Sequence, residues 1–327
     1  MENKIKKANI FTMSLVLMNV LCSVLLAPVA KKLNLGMYGI MAIANLFMLV
    51  VPLAIYILKS KESLKNLLSL KPINGKSIAI VVLIAIFIQP LMNYISGVMA
   101  FFLPNNVGEL LAKSSDTPLY FKLIVVAVMP AILEELCMRG VVLSNYKGLG
   151  IKKAALITGL LFGLLHMNLQ MLVYTFILGV VFAYLVYITK SIFSSMIPHF
   201  IINGTQVIIA SMGAKIASTG DKAVNGVNSL GFKIGFIIGG ALVALISFLI
   251  VRYLIRKLAV INGVDLKNLK NEKNYDLRDE NSYDENNCKT EIVASKENKV
   301  KILDASFIVI LVVYFAINAF SLYNIFK

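Results

Sequence analysis

The chain has 327 residues, 58% of them hydrophobic, and a mean hydropathy of +0.81, well above the roughly half-apolar usage of a soluble domain. Apolar runs of about 20 residues recur, the length that crosses a ~30 Å hydrocarbon core as a helix, so composition excludes a soluble enzyme and predicts an integral membrane protein. The net charge of +15 (32 basic, 17 acidic residues) lies in short segments between the apolar runs, which reads as a topology signal and not as a nucleic-acid face.

Lys4, Lys6 and Lys7 precede the first run, Ala8 to Ala30. That run exceeds the 7 to 15 residues of a signal-peptide core and is expected to anchor the chain. Further spans are predicted at about 37–58, 77–103, 120–143, 154–168, 169–188, 191–213, 231–255 and 303–325. The fold class is therefore all-α, a polytopic transmembrane helix bundle of about 8–9 spans.

Residues 1–118 form the N-terminal membrane helices. Within them Lys59 to Lys71 sets Leu64, Leu67 and Leu68 among lysines, as in a helix lying on an anionic membrane surface. Residues 119–213 hold four helices and most of the intramembrane polar groups, and 214–260 adds one more helix. The charged stretch 261–302 contains nine of the 17 acidic residues and few aromatics, a composition expected to be disordered; 303–327 is the last helix. Counting Lys and Arg on alternate sides of nine spans puts 24 of the 32 on the N-terminal side and 8 on the other. The N terminus is thus expected in the cytoplasm, and the 261–302 linker with it. Cys22, Cys137 and Cys288 are scattered without a CxxC pair, so neither a disulfide framework nor a cysteine metal site is indicated.

Outside 261–302 the acidic residues are Glu2, Glu62, Glu109, Asp116, Glu134, Glu135, Asp221 and Asp304. Only Glu134 and Glu135 fall well inside an apolar run, and both histidines of the chain, His166 and His199, do the same. A carboxylate in hydrocarbon is costly unless it is paired. Glu135 and Arg139 stand at i and i+4 with the acid first, the favourable order for an ion pair, while Glu134 points about 100° away and stays free of it. Phe162 with His166, and His199 with Asn203, have the same i, i+4 spacing. Measured from the cytoplasmic ends of their spans at 1.5 Å per residue, Glu134, His166, His199 and Asn203 all lie roughly 12–18 Å deep, so convergence is geometrically open. Pro130, four residues before Glu134, is expected to disturb the helix there.

A glutamate and a histidine beside one water make a general-base pair, and a second histidine with an asparagine amide can donate to a developing oxyanion. Together they allow hydrolysis of an acyl bond by activated water. No GxSxG or HExxH occurs. Zinc held by Glu134, His166 and His199 is a chemically admissible alternative, since three N/O ligands plus water suit a catalytic site. Two rival readings use the same residues: a proton- or ion-coupled transporter, against which no paired repeat of broken helices is found, and a non-catalytic immunity protein that keeps the cluster as helix glue.

At these residues the sequence resembles the CAAX protease and bacteriocin-processing (CPBP, or Abi) family, relatives of the type II CAAX prenyl endopeptidase. The motifs EExxxR, FxxxH and HxxxN are matched in order by Glu134-Glu135-Leu-Cys-Met-Arg139, Phe162-Gly-Leu-Leu-His166 and His199-Phe-Ile-Ile-Asn203, within roughly 120–210. The resemblance implies an intramembrane glutamate-dependent endopeptidase without a resident cofactor. Glu134 and His166 would activate water, His199 and Asn203 would stabilise the oxyanion, and Glu135, Arg139 and Phe162 would support them. It implies a peptide or membrane-protein substrate met in the lipid bilayer of the cell membrane, with no nucleic acid, in bacteriocin or signalling-peptide processing, self-immunity or membrane-protein regulation. The active site would lie nearer the cytoplasmic side.

Overall fold

Each apolar run of the sequence coincides with a helix, and polar side chains cap the start of three of them. The computed structural model describes residues 1–33, 35–60, 63–103, 117–218, 230–266 and 301–326. The helices are α1 (Glu2–Lys32), α2 (Met37–Lys59), α3 (Leu64–Leu67), α4 (Gly75–Ala100), α5 (119–146), α6 (Ile151–Leu165), α7 (Leu169–Thr189), α8 (Phe193–Ser218), α9 (Leu230–Ile261) and α10 (Ala305–Phe326). Side-chain oxygens cap three of them: Asn74 accepts from the Ser77 amide (2.8 Å), Asn168 from Met171 (3.2 Å) and Asp304 from Phe307 (2.9 Å), each satisfying an N–H that the first helical turn leaves unpaired.

Contacts between helix ends sort the bundle into two ends. At one end Asn9 Nδ2 donates to the Ile302 carbonyl, Tyr146 Oη to Asn9 Oδ1, Asn145 Nδ2 to Tyr56 Oη, Asn262 Nδ2 to Ser77 Oγ, and the Ile192 amide to the Ser69 carbonyl. At the other end Gln206 meets Asn93, Gln170 meets Ser96, and Tyr94 reaches the Ile237 carbonyl. Apart from the single turn α3, consecutive helices therefore alternate in direction, with the starts of α1, α4, α6, α8 and α10 gathered together.

Among the described residues six helices are long and apolar enough to cross a membrane: α1, α2, α4, α7, α9 and α10. The expected count of 8–9 exceeds what length and composition support. The remaining long helices, α5, α6 and α8, are those that carry the EExxxR, FxxxH and HxxxN residues. Charged or polar groups in α5 and α8, and a length of only 15 residues in α6, set these three apart.

Two expectations change. Among the described residues between Lys59 and Lys71 the helix is the single turn Leu64–Leu67, and Leu67 and Leu68 are buried against protein. Leu68 lies so close to Gly140 that a Cβ there would fall 2.7 Å from Leu68 Cδ2. The apolar face of this segment thus covers the end of α5, because a glycine leaves a socket there. His166, expected inside a span, instead forms the C-cap of α6. Met167 turns the chain with φ +49° and Asn168 restarts it as the cap of α7. The linker expected at 261–302 lies outside the described residues from 267 to 300, as do Glu62, Glu109, Asp116 and Asp221.

Candidate active site

Helix α5 carries the acidic pair on an irregular frame. It has π-turns at Ile124–Val128 and Leu136–Val142 on either side of the segment Met129–Glu135, and each such turn adds a residue to the helix and so rotates the side chains beyond it. Pro130 has no N–H to offer the Val126 carbonyl four residues earlier. Asn203 Nδ2 takes that oxygen instead, at 3.0 Å. The carbonyl that Pro130 leaves free thus gives α8 one of its ties to α5.

Glu135 is fully buried and one of its oxygens serves two donors: Oε1 accepts from Arg139 Nη1 at 2.9 Å and from His199 Nδ1 at 2.8 Å. The ion pair expected from the i, i+4 spacing is present, and it reaches a second helix. Arg139 also donates from Nη2 to the Gly179 carbonyl at 3.3 Å. Its guanidinium lies over Phe162 at 4.5 Å and Phe182 at 5.2 Å from the ring centres. A buried charge persists only when hydrogen-bonded and paired, and here one cation meets a carboxylate, a carbonyl and two aromatic faces.

Gly179 can offer that carbonyl because α6 and α7 touch backbone to backbone. A Cβ on Gly179 would lie 2.7 Å from the Gly159 Cα. This close approach brings Phe162 over Arg139. The Phe162 ring meets His166 edge-on at 4.9 Å and His199 at 6.0 Å, and Phe182 lies 5.6 Å from His199.

Glu134 contrasts with its neighbour. Its side chain is 13% exposed, Oε2 is buried without a hydrogen-bond partner among the described residues, and that oxygen stands 4.0 Å from His199 Nε2. The nearest ring nitrogen is therefore just beyond direct bonding distance. Since His199 Nδ1 is committed to Glu135, Nε2 is the nitrogen that faces Glu134. His166 is half-buried and its Nδ1 lies 2.8 Å from the Phe162 carbonyl. A carbonyl only accepts, so Nδ1 carries the hydrogen and Nε2 is left with a free lone pair.

Of the residues expected at the site, Glu134, Glu135, Arg139, Phe162 and His199 form one contiguous cluster. His166 joins it through Phe162 alone, by the ring contact and by the Nδ1 bond to the Phe162 carbonyl, and Asn203 is anchored one step away on Val126. Among the described residues no three His, Cys, Asp or Glu side chains gather as a group that could hold a metal ion. Sequence reasoning missed Phe182, Gly179 and the Val126 carbonyl. Pro130 was the one signal for the last of these.

Residues 116–205 match the family model described as Type II CAAX prenyl endopeptidase Rce1-like. No curated protein and no solved structure matches the chain. The matched segment contains all three motifs and the helices that bring them together, and over it the chain is similar to the membrane-embedded type II CAAX prenyl endopeptidases.

Proposed function

We propose that the protein is a glutamate-dependent intramembrane endopeptidase in which Glu134, His166, His199 and Asn203 act on a single water and one peptide carbonyl. The observation that carries the reading is the unequal setting of two adjacent carboxylates: each has an Oε2 without a hydrogen-bond partner among the described residues, but Glu135 is fully buried and held through Oε1 by Arg139 and His199, whereas Glu134 is 13% exposed and faces His199 Nε2 at 4.0 Å. A buried acceptor with no partner suits a reacting water.

Glu134 takes one proton from the water, His166 Nε2 orients it as a second acceptor, and the hydroxide attacks the scissile carbonyl carbon. The carbonyl oxygen becomes the oxyanion, which Asn203 stabilises with the Nδ2–H not used on Val126. His199 adds an Nε2–H donor when its ring carries both protons. At that stage Glu134 is protonated, so the Glu135 carboxylate and the oxyanion face one imidazolium and one guanidinium, a neutral set of the kind apolar surroundings favour. Collapse breaks the C–N bond, and the proton held by Glu134 leaves with the amine. No step here runs through a metal.

In the wider reading, the enzyme sits in the cell membrane with its N terminus in the cytoplasm and processes a bacteriocin or signalling peptide, confers self-immunity or regulates a membrane protein. The orientation is supported by the gathering of Lys4, Lys6, Lys7, Lys152 and Lys153 at one end of the bundle. The test uses the purified full chain in detergent with pooled synthetic peptides of bacterial membrane-protein segments, read by mass spectrometry. Cleavage by the wild type that survives saturating chelation and is lost in Glu134→Gln supports the reading. Cleavage lost on chelation and restored by zinc would support the metal alternative, and cleavage indifferent to Glu134 would overturn the catalytic assignment. Proton flux into liposomes that depends on Glu134, without cleavage, would favour transport.

A further inference from the structure

His166 sits in a three-residue turn, 166–168, and the groups on both sides of that turn are bonded from outside the segment that matches the family. On the upstream side, Asn19 of α1 donates from Nδ2 to the Leu165 carbonyl at 3.4 Å. On the downstream side, Asn318 of α10 accepts from the Leu169 amide at 2.8 Å through Oδ1. Leu169 is the first residue of α7, and its N–H has no partner within that helix. Asn168 caps only Met171, so Asn318 supplies the acceptor that the turn lacks.

The orientation of Asn318 is fixed by its own helix. Nδ2 donates to the Tyr314 carbonyl at 2.9 Å, which leaves Oδ1 turned outward to Leu169. The residue is 7% exposed and ends an inward stripe of α10 made of Phe307, Ile310 and Tyr314, all buried. Helix α10 starts beside Asn9 and packs along α1; it therefore reaches the His166 turn as a braced rod.

We propose that Asn318 is a positioning residue for His166, and that α10, beyond the matched segment 116–205, completes the site by holding this turn. His199 needs no such brace, since Glu135 holds it by a side-chain bond. His166 has only its own helix carbonyl on Nδ1, so the place of its Nε2 is set by the backbone of the turn. The inference rests on the proteolytic reading for its consequence in rate but not for its structural content.

The chain contains only two histidines, which makes the test direct. In the full-length protein in lipid nanodiscs, with labelled imidazoles, Asn318→Leu should shift the ring resonances of His166, leave those of His199 in place, and speed hydrogen exchange at the Leu169 amide at least about 10-fold, the loss of one hydrogen bond. Asn318→Gln, which keeps both an amide oxygen and an amide N–H, should move the His166 signal less than Asn318→Leu does. With a cleaved peptide in hand, Asn318→Leu should lower kcat by about 10- to 100-fold, the scale of a misplacement of roughly 1 Å, with KM little changed. Should Asn318→Leu not fold, Asn19→Leu, which cuts the longer bond on the other side of the turn, should shift the same His166 resonances more weakly. An unmoved His166 signal, or equal shifts of both histidines, would overturn the proposal. Absence of any Glu134-dependent cleavage would overturn the proteolytic reading while the resonances still decide this one.

Discussion

The two imidazoles of this protein are held in unlike ways. His199 lies inside α8, one turn from Asn203, and a buried carboxylate grips its Nδ1 at 2.8 Å; Phe162 and Phe182 flank its ring. His166 ends a short helix, half-buried, with its Nδ1 on a backbone carbonyl and its turn braced by α1 and α10. The first is fixed by side-chain chemistry within the matched segment, the second by backbone placement that distant helices complete. Oxyanion stabilisation demands a fixed donor direction, which suits the first arrangement. Orienting a water needs a lone pair at the right place, which the second supplies.

The largest expected effect breaks the His199 half. Glu135→Ala leaves Arg139 buried without its carboxylate and frees His199 Nδ1, and removing one partner of a buried pair costs about 3–5 kcal/mol. Thermal unfolding in detergent should show that loss, and the His166 resonances of whatever remains folded should stay near their wild-type position. Asn203→Ala comes next. It removes one candidate oxyanion donor and the side-chain bond from α8 to the Val126 carbonyl, so cleavage should fall by about 10²- to 10³-fold. Asn203→Asp should not rescue it, because a carboxylate cannot donate to Val126.

Gly179→Ala attacks the contact on which both halves depend. A Cβ 2.7 Å from the Gly159 Cα must push α6 from α7, an overpacking that costs about 1–3 kcal/mol and should move both histidine signals together. Phe162→Leu is the mildest. It should cost about 0.5–2 kcal/mol through the lost Arg139 face and disturb His166 and His199 alike, since the ring touches both. A change confined to one histidine in either variant would contradict the shared role of this contact.

Much of the site could be read from the chain because membrane burial makes polar residues conspicuous. Glu134, Glu135, Arg139 and the two histidines stood out against apolar sequence, and the i, i+4 spacing of Glu135 and Arg139 gave their ion pair. What could not be read was where the helices stop. The run through 154–188 is nearly continuous in hydropathy, so the turn at 166–168 and the capping of α6 by His166 depended on Asn168 acting as an N-cap, a weak signal when a single residue carries it. Glycine spacing was equally ambiguous. Gly159 and Gly163 lie against α7, whereas a Cβ at Gly235 or Gly239 on α9 would meet nothing within 4 Å; the two pairs share a spacing and differ only in their surroundings. The π-turns of α5 had only Pro130 to announce them. The leucines of this segment read as a membrane-facing face because nothing in the chain marks Gly140 as the socket of Leu68.

The most direct measurement compares Glu134→Gln with the wild type on a peptide the wild type cleaves, alongside thermal unfolding of both. Because Glu134 Oε2 takes no hydrogen bond from the described residues, kcat/KM should fall by about 10²- to 10⁴-fold while the unfolding temperature stays where it was. Wild-type cleavage rates in a folded Glu134→Gln protein would contradict the assignment of Glu134 as the base.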